Sequence, residues 1–140
     1  HGIEPSEERE MCGKPAAGNI VTKVESFDNQ GQRWVRIQIS DDGGGISVDR
    51  LKAKLINSLG AEKTAALSEH EVKQAVFDSG VSTKESIGEF SGRGIGMNAI
   101  KIEAERLGGK AWVESELGKG TNLIIEVPDL ERVAPNVKAA

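Results

Sequence analysis

Ile39-Ser40-Asp41-Asp42-Gly43-Gly44-Gly45-Ile46 decides how the rest of the chain is read. A strand delivers a carboxylate, and the backbone then turns through three glycines. Before it, Val35, Ile37 and Ile39 alternate with Trp34, Arg36 and Gln38, the period of two expected of a strand with one covered face. Continuing that alternation puts Asp41 on the apolar side. A carboxylate there needs a partner, because an unpaired buried charge is costly. Glycines just beyond it let the backbone approach that partner closely. Asp and Gly also build ordinary turns, so this stretch alone leaves a binding loop and a simple turn both open.

A second glycine cluster, Gly92-Arg93-Gly94-Ile95-Gly96-Met97, opens a helix-periodic segment with Met97, Ile100, Ala104 and Leu107 on one stripe and Gly108-Gly109 at its end. Small residues at a helix start expose the first free N–H groups, where the helix dipole favours an anion. A dinucleotide fingerprint of the G-x-G type would need a parallel strand directly before the glycines. The run from Ser82 to Ser91 is polar and strand-poor, so that reading fails.

The remaining elements follow in order. Residues 1–18 read as an acidic loop with at most one helical turn, and Ile20 to Phe27 as a strand joined through Asn29-Gln30-Gly31 to the strand at Arg33 to Ser40. Trp34 lies on that strand's polar side and is assigned to packing against a neighbouring strand before stacking on a base. Ser47 caps a helix whose inward stripe is Val48, Leu51, Leu55 and Leu59. Ser68-x-x-Glu71 is a capping box for a short helix carrying Val72, Ala75 and Val76, with His70 solvated in its first turn. Residues 78–91 form a long polar, glycine-punctuated segment suited to a lid. Two strands close the chain, Ala111 to Glu116 and Thr121 to Val127, around a tight Gly118-Lys119-Gly120 turn. Thr121 shares its face with Leu123, Ile125 and Val127, as Asp41 does with its own apolar neighbours.

Composition narrows the classes. At 140 residues the chain makes one domain. A formal net charge of −4 with 29% charged residues argues against sequence-independent nucleic-acid binding, which needs clustered positive charge. One cysteine, Cys12, cannot form an internal disulfide, which favours a reducing, cytoplasmic setting. No apolar run approaches a membrane span, so no membrane contact is expected from this segment; a membrane-associated signalling complex stays open as a setting for its parent.

Asp41-x-Gly43-x-Gly45-Ile46 and Gly92-Arg93-Gly94-Ile95-Gly96-Met97 resemble the two glycine boxes of the GHKL (Bergerat-fold) ATPases, which include histidine kinases, a class of heat-shock chaperones and mismatch-repair ATPases. His1-Gly2-Ile3-Glu4-Pro5, Phe77-Asp78-Ser79-Gly80-Val81-Ser82-Thr83, Ser91 to Met97 and Glu116-Leu117-Gly118-Lys119-Gly120-Thr121 are most similar to the ATP-binding domain of chemotaxis-type sensor histidine kinases. The likeness runs from residue 1 to Pro128, leaving 129–140 as a linker or tail.

The resemblance implies an α+β fold, an α/β sandwich with a mixed, mostly antiparallel sheet and helices on one face. It implies ATP and Mg²⁺ as cofactors and nucleotide binding by Asp41, Gly43, Gly45, Ile46, Gly92, Arg93, Gly94, Ile95, Gly96, Met97 and Thr121. Asp41 and Thr121 would hold the adenine, Ile46 and Met97 flank it, and Gly92, Gly94, Gly96 and Arg93 meet the phosphates. No catalytic residue is assigned, since phosphoryl transfer runs mainly on positioning and electrostatics. The implied partners are a histidine phosphotransfer domain and a response regulator. Two alternatives stay open: another GHKL ATPase or anti-sigma-type serine kinase, and a non-catalytic domain that docks partners. The chain departs from the family at its front, where the asparagine-bearing helix that holds Mg²⁺ would end at His1-Gly2. The chain therefore reads as part of a longer protein with that helix truncated and its principal metal ligand upstream, His1 being the candidate in this chain and Glu4 a fallback beside it. An uncovered sheet face, self-association and weak, nearly Mg²⁺-independent ATP binding are the expected consequences.

Overall fold

The computed structural model describes residues 2–78 and 95–129. His1, the expected lid beyond Asp78, Gly92, Arg93 and Gly94 of the second glycine box, and the tail from 130 onward lie outside the described residues.

Four strands make one antiparallel sheet: β1 (Ile20–Asn29), β2 (Gln32–Asp41), β3 (Lys110–Glu116) and β4 (Gly120–Pro128), in the spatial order β1-β2-β4-β3. Both expected hairpins are present. The first turns through Gln30 and Gly31, both at positive φ, as a two-residue connection requires. In register, Ile39 faces Leu123, Ile37 faces Ile125 and Val35 faces Val127, so the apolar residues of β2 and β4 stand side by side on one face. Every described pairing is antiparallel, a simpler sheet than the mixed one expected.

Helices cover only part of that face. Following α1 (Ser6–Met11) and the first hairpin come α2 (Val48–Leu59), α3 (Ala61–Ala66), α4 (Glu69–Gln74) with a 3-10 turn at Ala75–Phe77, and α5 (Ile95–Arg106). The Ser47 hydroxyl accepts the Arg50 N–H, and Ser68 and Glu71 form the reciprocal capping box, as their spacing dictates. Leu51, Leu55, Val72, Ala75 and Phe77 bury against Val113 of β3, with Met97, Ala111 and Leu123 packed around them. Ala104, on the expected stripe of α5, is also buried. Leu59, the last residue of α2 before Gly60, breaks its expected stripe and is 44% exposed. Phe77, read from sequence as part of the lid motif, is instead a core residue.

Among the described residues this helical layer sits over β3 and β4 and not over the β1–β2 half. Ile20 and Val24 are 63% and 64% exposed, and Ile39 37%. These apolar side chains stand on the side that carries Asp41. The opposite face is polar and organised. Glu25, Arg36, Glu126 and Lys110 stand in one register row across all four strands, paired in alternating charge at 3.2 Å (Arg36 Nη1 to Glu25), 2.7 Å (Arg36 Nε to Glu126) and 3.2 Å (Lys110 to Glu126). Burial pushes the Glu126 carboxyl up, but Arg36 and Lys110 outweigh it and hold it below its ordinary value. Trp34 stacks on Phe27 on this face at 6.5 Å, in keeping with packing against a neighbouring strand. At the β3 edge the Gln74 side chain donates to Val113 O and accepts from Val113 N–H, satisfying backbone groups that an edge strand otherwise leaves unpaired.

Candidate functional site

Asp41 is the last residue of β2, directly opposite Thr121 of β4, which in turn lies opposite Ser115 of β3. Two turns thus meet at one end of the sheet: the Asp42–Gly45 loop and the Gly118–Gly120 turn. Ser115 joins them. Its hydroxyl accepts the Ile46 N–H at 2.9 Å, donates to Gly120 O at 2.8 Å and lies 3.1 Å from Thr121 Oγ1. A serine hydroxyl has one proton, here given to Gly120. Thr121 must then be the donor to Ser115, which leaves its own oxygen an acceptor toward anything else. Asp41 uses Oδ1 to accept the Gly43 N–H at 2.8 Å. The two facing side chains therefore offer acceptors side by side, suited to a ligand edge that carries amino protons.

A hollow of about 390 Å³ lined by Asp41, Ser115, Thr121 and Lys119 opens at this end of the sheet. A second, of about 500 Å³, lies on the far side of the loop between Gly2, Glu4, Gly44, Arg50 and Leu117. Both fall in the size range of small-molecule clefts. Two glycines of the loop, Gly43 and Gly45, prove to be required by the protein itself. A Cβ at Gly43 would collide with the Gly2 carbonyl, and one at Gly45, where φ is +69°, with the Glu116 carbonyl. Ile46 is buried in the core cluster beside Leu51 and Val113. Of the second box, Gly96 lies in the first turn of α5, which begins at Ile95, and Met97 packs against the core.

Sequence reading missed what holds the loop from behind. Arg9 of α1 is fully buried, and its five N–H groups reach five acceptors: Pro15 O, Glu4 Oε2, Asp42 O, Ala17 O and Asp42 Oδ2. Lys14 donates to Glu4 Oε1, Asp42 O and Gly43 O at 2.7, 2.9 and 2.8 Å. Asn19 N–H closes the cluster on Asp42 Oδ1 at 2.9 Å. The one available signal was a pair of cations in an otherwise acidic segment. Glu4, a fallback metal ligand on paper, has both oxygens engaged by these cations.

The cluster makes stability acid-sensitive. The Lys14 hydrogen bond holds the Glu4 carboxyl below its ordinary value, and the Asn19 N–H, followed by Arg9, does so for Asp42. A carboxyl depressed in the folded state contributes stability that is present above its unfolded value and is lost as pH falls through the folded one. The thermal midpoint is therefore expected to hold from neutrality down to the ordinary carboxylate range and to decline below it. Glu4→Gln should show a shallower decline in thermal scans against pH; an identical slope would remove Glu4 from this account.

The described fold is an α/β sandwich, one antiparallel sheet with helices on one face and the Asp42–Gly45 loop at one end. The family model described as "Histidine kinase-, DNA gyrase B-, and HSP90-like ATPase" matches residues 9–131, and the chain belongs to that family. Among its relatives are the chemotaxis protein CheA of Treponema pallidum, 39% identical over 128 residues, and the gliding motility regulatory protein of Myxococcus xanthus, 36% identical over 130. The sensor histidine kinase CheAY of Helicobacter pylori is 37% identical over 130 residues. Each alignment covers 91% of this chain but 15–16% of the relative, so the chain spans about one-sixth of their length. The full-length histidine kinase ShkA, solved in complex with AMPPNP, shares the fold at a TM-score of 0.53 and 21% identity, covering 81% of this chain and 18% of that one. The chain is thus a domain of this ATPase family. No described helix is long and apolar enough to cross a membrane.

Proposed function

We propose that this domain binds ATP with its adenine at Asp41 and Thr121 and presents the γ-phosphate to a histidine on a separate domain, as the catalytic part of a chemotaxis-type histidine kinase in the cytoplasm. The observation that carries the reading is the register pair Asp41–Thr121, two acceptors on the helix-covered face at the mouth of the glycine loop. An adenine amino group supplies the matching donors. Ile46 and Met97, whose neighbours form the core, stand beside that face, and Gly43 and Gly45 shape the loop. Gly92, Arg93, Gly94, Ile95 and Gly96 are proposed for the phosphates on their sequence position at the start of α5, where free N–H groups favour an anion.

Mg²⁺ fits such a site as a companion of the nucleotide phosphates, since it is usually held by few carboxylates plus phosphate oxygens. Among the described residues no three His, Cys, Asp or Glu side chains are grouped to hold a metal, so these residues supply no dedicated cage. In the parent system the product phosphohistidine would pass its phosphoryl group to a response regulator. The names borne by the relatives favour this reading over a serine kinase or a docking-only domain.

Asp41→Asn tests the reading. The amide would turn a donor toward the adenine amino group and leave that group unpaired, at a cost on the order of 1–3 kcal/mol. Calorimetric titration should show ATP affinity lost while the thermal midpoint stays close to the parent's. ATP binding as tight as the parent's would remove Asp41 from the adenine site.

A further inference from the structure

The peptide unit between Asp42 and Gly43 makes two kinds of hydrogen bond. Its carbonyl oxygen accepts from Lys14 Nζ at 2.9 Å and from Arg9 Nη1 at 3.3 Å. Its N–H donates to Asp41 Oδ1 at 2.8 Å. No described peptide bond is cis, and in a planar trans unit the carbonyl and the N–H point in opposite directions. Cations that hold the oxygen on one side therefore hold the N–H toward Asp41 on the other.

We infer that Lys14, with Arg9 behind it, is a positioning residue for the Asp41 carboxylate. The ammonium fixes one peptide plane, and that plane fixes which oxygen of Asp41 is engaged internally and which remains for a ligand. Lys14 is fully committed to this arrangement. An ammonium has three N–H groups, and they meet Glu4 Oε1, Asp42 O and Gly43 O. Glu4 is in turn held by Arg9, so the ammonium cannot drift from the loop without breaking a second ion pair. The direction of the Asp41 side chain is set through the backbone, by the Gly43 N–H that its Oδ1 accepts. The functional consequence rests on the nucleotide-binding reading of Asp41, while the geometry does not.

Lys14→Met, Asp41→Asn and the double variant decide the matter, each titrated with ATP and with GTP, with amide hydrogen exchange at Gly43 followed by NMR. Lys14→Met is expected to weaken ATP binding about tenfold, to narrow the preference for ATP over GTP, and to speed exchange at Gly43. It should add nothing to the loss already caused by Asp41→Asn, since the two act through one carboxylate. A residue that merely supported the fold would weaken both nucleotides alike and add its loss to that of Asp41→Asn. Parent-like ATP affinity and Gly43 exchange in Lys14→Met, or additive losses, overturn the inference. Should Lys14→Met fail to fold, Lys14→Gln, which keeps two donors without the charge, carries the same cycle. If Asp41→Asn itself binds ATP normally, the nucleotide reading has failed, and Gly43 exchange alone then decides whether Lys14 sets the peptide.

Discussion

Gly45→Ala is expected to destabilise the domain by about 4 kcal/mol or more, while Gly44→Ala, one residue earlier, should be nearly neutral. Gly45 has φ +69°, and its missing side chain leaves room for the Glu116 carbonyl, with the Gly120 carbonyl 3.2 Å from the same point. An alanine there would pay the left-handed penalty of about 1–2 kcal/mol. It would also push backbone against backbone, where no rotamer change relieves the contact. The loop cannot simply swing away, because Gly44 N–H donates to Gly2 O and Gly44 O accepts from Gly118 N–H, at 2.9 and 2.8 Å. At Gly44 itself an added Cβ comes no closer than 3.6 Å, to the Glu4 carboxylate, an ordinary contact. The spacing Asp-x-Gly-x-Gly thus has a physical reason at each place, the second x included. Urea unfolding of the two variants gives the comparison, and equal midpoints would show that the β3–β4 turn yields more easily than its hydrogen bonds imply.

That loop marks where sequence reading succeeds and where it stops. The period of two in Val35, Ile37, Ile39 and Asp41 fixes a face without reference to anything distant, and the register pair Asp41–Thr121 follows once Thr121 is seen to share its strand's apolar side. Helix caps are equally local, so the Ser47 cap and the Ser68–Glu71 capping box are readable. The reason for the glycines was not. From sequence they make room for a ligand, whereas in the fold Gly43 and Gly45 make room for Gly2 and Glu116, residues 41 and 71 positions away along the chain. Ser115 was likewise invisible as a junction, because a small polar residue on a strand has no periodic signature. Phe77 read as part of a motif and Leu59 as part of a stripe; burial depended on where the neighbouring elements end, which no local pattern states. Nothing in the described residues bears on the lid.

Arg9→Met is the second variant with a large expected effect, a fall in the thermal midpoint on the order of 10 °C. The segment before β1 was read as an acidic loop, and Arg9 is what makes it structure. Its guanidinium is fully buried, with ion pairs to Glu4 at 3.1 Å and Asp42 at 2.9 Å. It also bonds the carbonyls of Pro15, Ala17 and Asp42, so one side chain ties α1, the turn after it and the end of β2 together. Methionine fills much of the same volume but takes a donor from two carboxylates and three carbonyls, and the Pro15 and Ala17 carbonyls lose the guanidinium altogether. The loss therefore comes from uncompensated polar groups more than from a cavity. Arg9→Lys should recover little, since an ammonium offers three donors where the fork geometry of five is in use. Arg106→Met is the matched control: it removes an ion pair to Glu103 whose side chains are 66% and 55% exposed, and exposed pairs of this kind contribute little. Thermal unfolding of the three variants separates the cases. If Arg9→Met melts with the parent, the N-terminal segment is a passive strap. If Arg9→Lys melts with the parent, charge rather than the five-donor geometry is what the site requires.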